Sequence, residues 1–261
     1  MSNNTNMYLY QILQKYQARN LANYSFQISQ LKTTLQTWAS SCFVEILNSG
    51  SRAKGTAISL ASDVDYLISL KSNCNESSGG LKSIYNFLFS KLSSIYHNTR
   101  KQNVSVRISL NGLEVDVTPA RKQSGNTNNH NLYISKSDTW KQTNIQKHIT
   151  DISQSGRTNE IKLLKIWREL NMLDFSSIYL EYLVINNILL NKLKDINNLS
   201  DNISYTLIEL AKDNLNPLYA RIVDPANSNN IFSDLLNQTE KTKIINVAKR
   251  SIHQTWEEIF Y

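Results

Sequence analysis

The sequence is poor in the residues that build special scaffolds. It has two cysteines, Cys42 and Cys74, far apart and without a C-x-x-C pair. That spacing argues against a zinc ribbon or a thiol redox motif and suits a reducing compartment. Three prolines and 7 glycines are too few for a collagen-like or linker-rich chain. No apolar run is long enough to cross a bilayer: the longest, around Ile178 to Leu190, is broken by Glu181, Asn186 and Asn187. The start, MSNNTNMYLYQ, lacks the basic region and apolar core of a signal peptide. The expectation is a cytoplasmic protein with no membrane partner.

What is present suffices for a folded enzyme-sized chain. The 261 residues are 41% hydrophobic, enough for one large domain or two small lobes sharing a cleft. The formal net charge is +7 and the sequence pI about 9.2. Such a balance suits a polyanionic partner such as a nucleotide or nucleic acid; spread thinly, it serves solubility alone.

Periodicity places the elements. Residues 7 to 40 show helical spacing, with a break near Asn20 to Ser25. Residues 42 to 47 and 64 to 70 read as strands, with a turn and short helix between them, and 81 to 97 as a helix. Val104 to Leu110 and Leu113 to Val117 alternate in polarity around Asn111-Gly112, a strong two-residue hairpin signal. Pro119 is expected to end the second strand, and 121 to 131 to be a polar loop. Helices are expected from about 144 onward, including Ile178 to Leu193, Ser204 to Lys212 and 240 to 260, with Asp224 to Asn227 as a turn. The fold class is α+β: a mixed-sheet lobe over 1 to 143, then an all-helical lobe over 144 to 261.

The chemistry concentrates in Gly50 to Asp65, GSRAKGTAISLASDVD. Gly50 and Ser51 follow a strand and open a helix, where N–H groups and a hydroxyl can meet an anion. Asp63 and Asp65 are two apart on a strand and so share a face. Carboxylates that close repel unless a cation lies between them, and oxygen-only ligands suit Mg²⁺. On the hairpin's second strand, Glu114 and Asp116 share the face opposite to Leu113, Val115 and Val117. If this strand lies beside the first, three or four carboxylates converge, enough for two metals to clamp an in-line displacement. A lone D-x-D pair is more often a solvated strand face; the second acidic strand and the Gly-Ser turn favour function.

Gly50-Ser51, Asp63-Val64-Asp65 and Val115-Asp116-Val117 together resemble the signature of the DNA polymerase β-like nucleotidyltransferases. The longer string is similar to the branch holding oligoadenylate synthases, archaeal CCA-adding enzymes and bacterial cyclic-oligonucleotide synthases. The resemblance implies a palm-like sheet lobe, an all-helical lobe and an active site in the cleft between them. It implies that Asp63 and Asp65 bind two Mg²⁺ ions, replaceable by Mn²⁺, and that Asp116 binds the one activating the acceptor hydroxyl. Asp116 is preferred to Glu114 because VDVTP is the familiar form. Gly50 and Ser51 would contact the triphosphate of an incoming NTP, with ATP the expected donor.

The resemblance continues downstream. RTNEIKLLKIWREL is similar to a helix whose lysine reaches the triphosphate, with Lys165 first choice and Lys162 second; the alternative is two ordinary lysines on an amphipathic helix. SSIYLEYLV matches a helix in which Glu181 is structural. The Asp224-Pro225-Ala226-Asn227 turn resembles a late turn of oligoadenylate and cyclic-oligonucleotide synthases, which puts Asp224 among the nucleotide-binding residues. His148 is expected near an acceptor or in a structural role.

The implied function is template-independent transfer of a nucleotide from an NTP to an acceptor hydroxyl, making short or cyclic oligonucleotides. Extension of an RNA or tRNA 3′ end is the alternative, though the chain has no room for the RNA-binding domains of archaeal CCA-adding enzymes. Nucleotidylation of a protein or small molecule, as in toxin–antitoxin systems, is a third reading. A binding module with dead chemistry is a fourth, opposed by three intact carboxylates.

Overall fold

The computed structural model describes residues 2–61, 63–75, 79–125 and 127–261. Helix α1 (Ser2–Lys15) and α2 (Ser25–Ala39) lead into strand β1 (Phe43–Ser49) and the single turn of α3 (Gly50–Ala53). Strand β2 (Val64–Leu70) and α4 (Gly80–Ser93) follow, then β3 (Arg100–Lys101), β4 (Val106–Leu110), β5 (Leu113–Lys122), β6 (His130–Ile134) and β7 (Thr139–Thr143). The rest is helical: α5 (Ile145–Ser153), α6 (Thr158–Leu170), α7 (Ser177–Leu183) running into a π-helical turn over Val184–Ile188, α8 (Leu199–Leu210), α9 (Gln238–Ser251) and α10 (Trp256–Ile259). None of these helices is long and apolar enough to cross a membrane.

Contacts divide the chain into two units, and not at a single cut between 143 and 144. One unit comprises Met1–Ala18, Lys54–Ala61 and Thr150–Tyr261; the other comprises Arg19–Ala53 and Ser62–Ile149. Helix α1 joins the helical unit because its apolar face, with Leu9, Ile12 and Tyr16, packs into the same core as Trp167, Leu180 and Ile203. Ile58 joins that core as well.

The other unit is built on a seven-stranded sheet of order β1-β2-β5-β4-β3, with β6 pairing β5 and β7 pairing β6. Only the β2–β5 pairing is parallel. Strand β5 alternates buried and half-buried residues from Leu113 onward. Val115 and Val117 therefore face a core with Leu31 and Leu35 of α2 and Ile84, Tyr85, Leu88 and Leu92 of α4. The spacing of those α4 residues makes one apolar stripe, and burying a Leu there is worth about 1.5–3 kcal/mol. The same alternation sends Glu114 and Asp116 to the opposite face.

Five expectations need correction. Pro119 does not end β5, which continues to Lys122. Pairing with β4 stops at Val117 and pairing with β6 starts at Ala120, so the residue without an N–H sits where the strand exchanges neighbours. The polar stretch before 144 contains the β6–β7 hairpin. The expected helix to Leu193 leaves α geometry at Val184, and the closing helix is two: Thr255 and Glu258 form a capping box that starts α10 afresh. Finally, Cys42 and Cys74 are disulfide-bonded, with Cα atoms 5.6 Å apart. Cys42 precedes β1 and Cys74 follows β2, and the Phe43–Leu70 pairing brings those ends together.

Candidate active site

Strand register assembles the carboxylates. Asp65 of β2 pairs with Asp116 of β5, and Asp63 lies just before β2. Gly50, with φ +64°, opens α3 against Asp65: a Cβ added there would lie 1.8 Å from Asp65 Oδ2. Only glycine permits both that backbone and that approach. Ser51 follows on α3, half-buried.

The cation between the carboxylates is a residue of the chain itself. Arg107 of β4 pairs with Asp116 across the Asn111-Gly112 hairpin. Its Nε donates to Asp116 Oδ1 at 2.9 Å, and its Nη2 donates to Asp116 Oδ2 at 2.7 Å and to Asp63 Oδ2 at 2.5 Å. Glu114, on the same strand face, accepts from Arg100 Nη2 at 2.8 Å and lies 3.8 Å from Arg107 Nε. Burial pushes the Asp63 carboxyl above the usual range; Arg107 pulls it back, while Asp116 and Glu114 reinforce the rise. The hydrogen bond to Asp116 drives the Arg107 pKa upward, so the guanidinium stays charged.

Asp63, Asp65 and Asp116 form an oxygen-only donor set of the kind a hard divalent ion takes, and a guanidinium already bridges Asp63 and Asp116 as a cation. The residues fit such an ion by chemistry. As the side chains stand, no group of three or more His, Cys, Asp or Glu among the described residues is arranged to hold one.

The other expected nucleotide contacts are engaged elsewhere. Lys165 of α6 is 2% exposed. Its Nζ donates to Glu181 Oε1 at 2.7 Å and to Thr56 Oγ1 at 2.9 Å. Lys54 Nζ donates to the other Glu181 oxygen at 2.5 Å, and Thr56 Oγ1 donates to Oε1 at 2.7 Å. Burial lowers the Lys165 pKa against the pull of Glu181; burial alone would raise that of Glu181, but the two ammonium groups together hold it down. Lys162 is half-buried on the same helix. Asp224 is buried and spans its own turn, accepting from Ala226 N at 2.8 Å and Asn230 Nδ2 at 3.0 Å. It folds the turn.

Sequence reasoning missed Arg107, Lys54 and Thr56. Arg107 was within reach: a two-residue hairpin at Asn111-Gly112 sets 110 opposite 113, and hence 107 opposite 116. Lys54 and Thr56 lie in the Gly50 to Asp65 string, but nothing local to them points to Glu181.

A polymerase β-like nucleotidyltransferase is the class that this sheet and carboxylate set define. Residues 4–155 match the family model of the second messenger oligonucleotide or dinucleotide synthetase domain, SMODS, and the chain belongs to that family. It is an NTP-dependent nucleotidyltransferase that makes short or cyclic oligonucleotides. No curated protein sequence matches it. Among solved structures it resembles E. coli CdnC in complex with HORMA-deltaN, with 20% identity, a TM-score of 0.72, and coverage of 94% of this chain and 88% of that one. It resembles the Bradyrhizobium diazoefficiens CD-NTase CdnG in complex with GTP, with 11% identity, a TM-score of 0.69, and coverage of 92% and 89%. A cytoplasmic RNA terminal U-transferase shares the fold at 10% identity and a TM-score of 0.67, covering 99% and 97%.

Proposed function

We propose that Asp63, Asp65 and Asp116 are the metal ligands of an enzyme that joins NTPs, ATP among them, into a small oligonucleotide. The observation that carries this reading is the convergence of Asp63 and Asp116 on one cation, with Asp65 in register beside Asp116. Mg²⁺, when bound, supplies charge neutralisation to the triphosphate and favours the ionised acceptor hydroxyl.

The chain's own residues do the positioning. Asp65 leaves β2 and Asp116 leaves β5 at paired positions of two hydrogen-bonded strands, and Asp63 immediately precedes β2, so two of the three carboxylates are spaced by the sheet itself. Gly50 keeps the backbone close to Asp65, and Ser51 offers a hydroxyl at the start of α3 for a phosphate oxygen. Lys165 and Asp224 each bond within the chain. Their partners are Glu181 and the 224–230 turn.

The test is incubation with labelled NTPs and Mg²⁺ or Mn²⁺, with and without total tRNA, followed by phosphatase treatment and separation. Small phosphatase-resistant products that vanish in Asp63→Ala and Asp65→Ala support the reading. Label carried only by RNA selects the terminal-transferase alternative. Full activity in both variants removes the carboxylate assignment.

A further inference from the structure

Arg107 completes the carboxylate site electrostatically, yet the transfer reaction as described assigns it no task. Its guanidinium makes hydrogen bonds to both oxygens of Asp116 and to one of Asp63. These are the oxygens that the proposed function gives to metal. We propose that Arg107 is an internal counter-ion that closes the carboxylate site before loading, and that a divalent ion binds only by displacing its guanidinium. The inference rests on Asp63, Asp65 and Asp116 being the metal ligands.

Three physical points carry it. First, occupancy is exclusive. A hard divalent ion sits about 2.0–2.1 Å from carboxylate oxygen for Mg²⁺, and a guanidinium nitrogen at 2.5–2.7 Å from the same oxygens would face it at close cation–cation range. Second, the competition does not lapse with pH. The guanidinium is a permanent cation that grips both Asp116 oxygens in a fork, so only a rival cation or a movement can free the site. Third, the arginine can leave. Its side chain is 24% exposed, and the Glu114 carboxylate, 3.8 Å from Nε, offers a landing place already shared with Arg100. Leaving Asp63 and Asp116 for Glu114 gives up two carboxylates for one, and the incoming ion takes over the charge at Asp116, whose side chain is 14% exposed. A lysine in the same place would hold the site less firmly, because it lacks the planar fork that engages both Asp116 oxygens.

The experiment is Mn²⁺ titration of the full chain without nucleotide, by calorimetry and by the resonance signal of free Mn²⁺, together with thermal unfolding with and without the ion. Arg107→Gln is expected to bind Mn²⁺ about 10- to 100-fold more tightly than the parent, the scale of a lost charge-assisted hydrogen bond. Without metal it should melt lower, because the carboxylates are left facing one another, and it should gain more on Mn²⁺ addition. Arg107→Lys should fall between the two, and it carries the test if the glutamine variant does not fold. Unchanged or weaker Mn²⁺ binding in the folded variant overturns the proposal. Asp63→Asn and Asp116→Asn separate the two levels. If they bind Mn²⁺ like the parent, the carboxylates are not the metal ligands and both readings fall. If they abolish binding while Arg107→Gln fails to tighten it, the counter-ion role alone is wrong.

Discussion

Glu181 is fully buried and is the only carboxylate bonded to both Lys54 and Lys165 among the described residues. Two ammonium groups and one carboxylate make a cluster of net charge +1. Glu181→Gln keeps the shape and raises the cluster to +2, with two like charges out of water. Breaking a buried ion pair from one side typically costs about 3–5 kcal/mol. For a chain of this size that lowers Tm by about 6–20 °C. Lys165→Met works the other way: the cluster becomes a neutral Lys54–Glu181 pair, and only hydrogen bonds to Thr56 and Glu181 are lost. That loss is about 1–2 kcal/mol, a fall of about 2–8 °C. The double variant returns from +2 to +1 and should melt above Glu181→Gln alone, a coupling that a double-mutant cycle reads directly. The assay is calorimetric unfolding at pH 7.5. Lys165→Met melting as low as Glu181→Gln would refute the charge arithmetic. So would a double variant no better than Glu181→Gln.

Other outcomes follow from single contacts. Gly50→Ala drives a Cβ into Asp65 and strains a positive-φ residue, so turnover and Tm should both fall, with about 1–3 kcal/mol of strain, whereas Gly112→Ala, with φ +83° and open space around it, should cost only the strain; equal activity losses in the two would deny Asp65 its close approach. Asp116→Asn should cut turnover at saturating NTP by about 100-fold or more, well beyond Glu114→Gln, because Asp116 shares Arg107 with Asp63 while Glu114 pairs with Arg100; the reverse order would move the third ligand to Glu114. His130 is buried, with Nε2 2.8 Å from Ser69 Oγ, and burial holds its pKa below the usual value. Its contribution is therefore present above the unfolded value of about 6.5 and is lost as pH falls below it toward the folded value, so Tm should drop from pH 7.5 to 5 and His130→Gln should remove part of that slope. An identical slope in the variant would show that His130 is not the group responsible.

The fold was legible where a short-range pattern decides the outcome. Strand β2 was read to the residue because VDYLISL is apolar and β-branched between polar flanks. The β4–β5 hairpin followed from Asn111-Gly112, and both turn residues have positive φ. Strands β6 and β7 were not seen. HNLYI and TWKQT carry too little apolar alternation, and their pairing depends on the far end of β5 and on Ser69 beneath His130. The Cys42–Cys74 disulfide escaped for a similar reason. Nothing within 32 residues of sequence announces it; the antiparallel run of β1 beside β2 does. Likewise α1 looks like the opening of the sheet lobe, yet its stripe of Leu9, Ile12 and Tyr16 lies in a core with Trp167, Leu180 and Ile203, far along the chain.

At the site, the division between what could and could not be read is electrostatic. A strand with period two puts Asp63 with Asp65 and Glu114 with Asp116 on single faces, so the anions were visible from spacing alone. Their cation was one step further, through hairpin register to Arg107. Lys165 shows where local reading stops. On α6 it has the same neighbours and helical spacing whether its anion is a phosphate or a carboxylate, because a buried ammonium needs an anion and the helix does not specify which. Glu181 supplies an anion from another helix, a carboxylate whose second oxygen is taken by Lys54. A motif can therefore nominate the charge that a site requires; the partner that satisfies it is a property of tertiary packing, and for Lys165 that partner is within the protein itself.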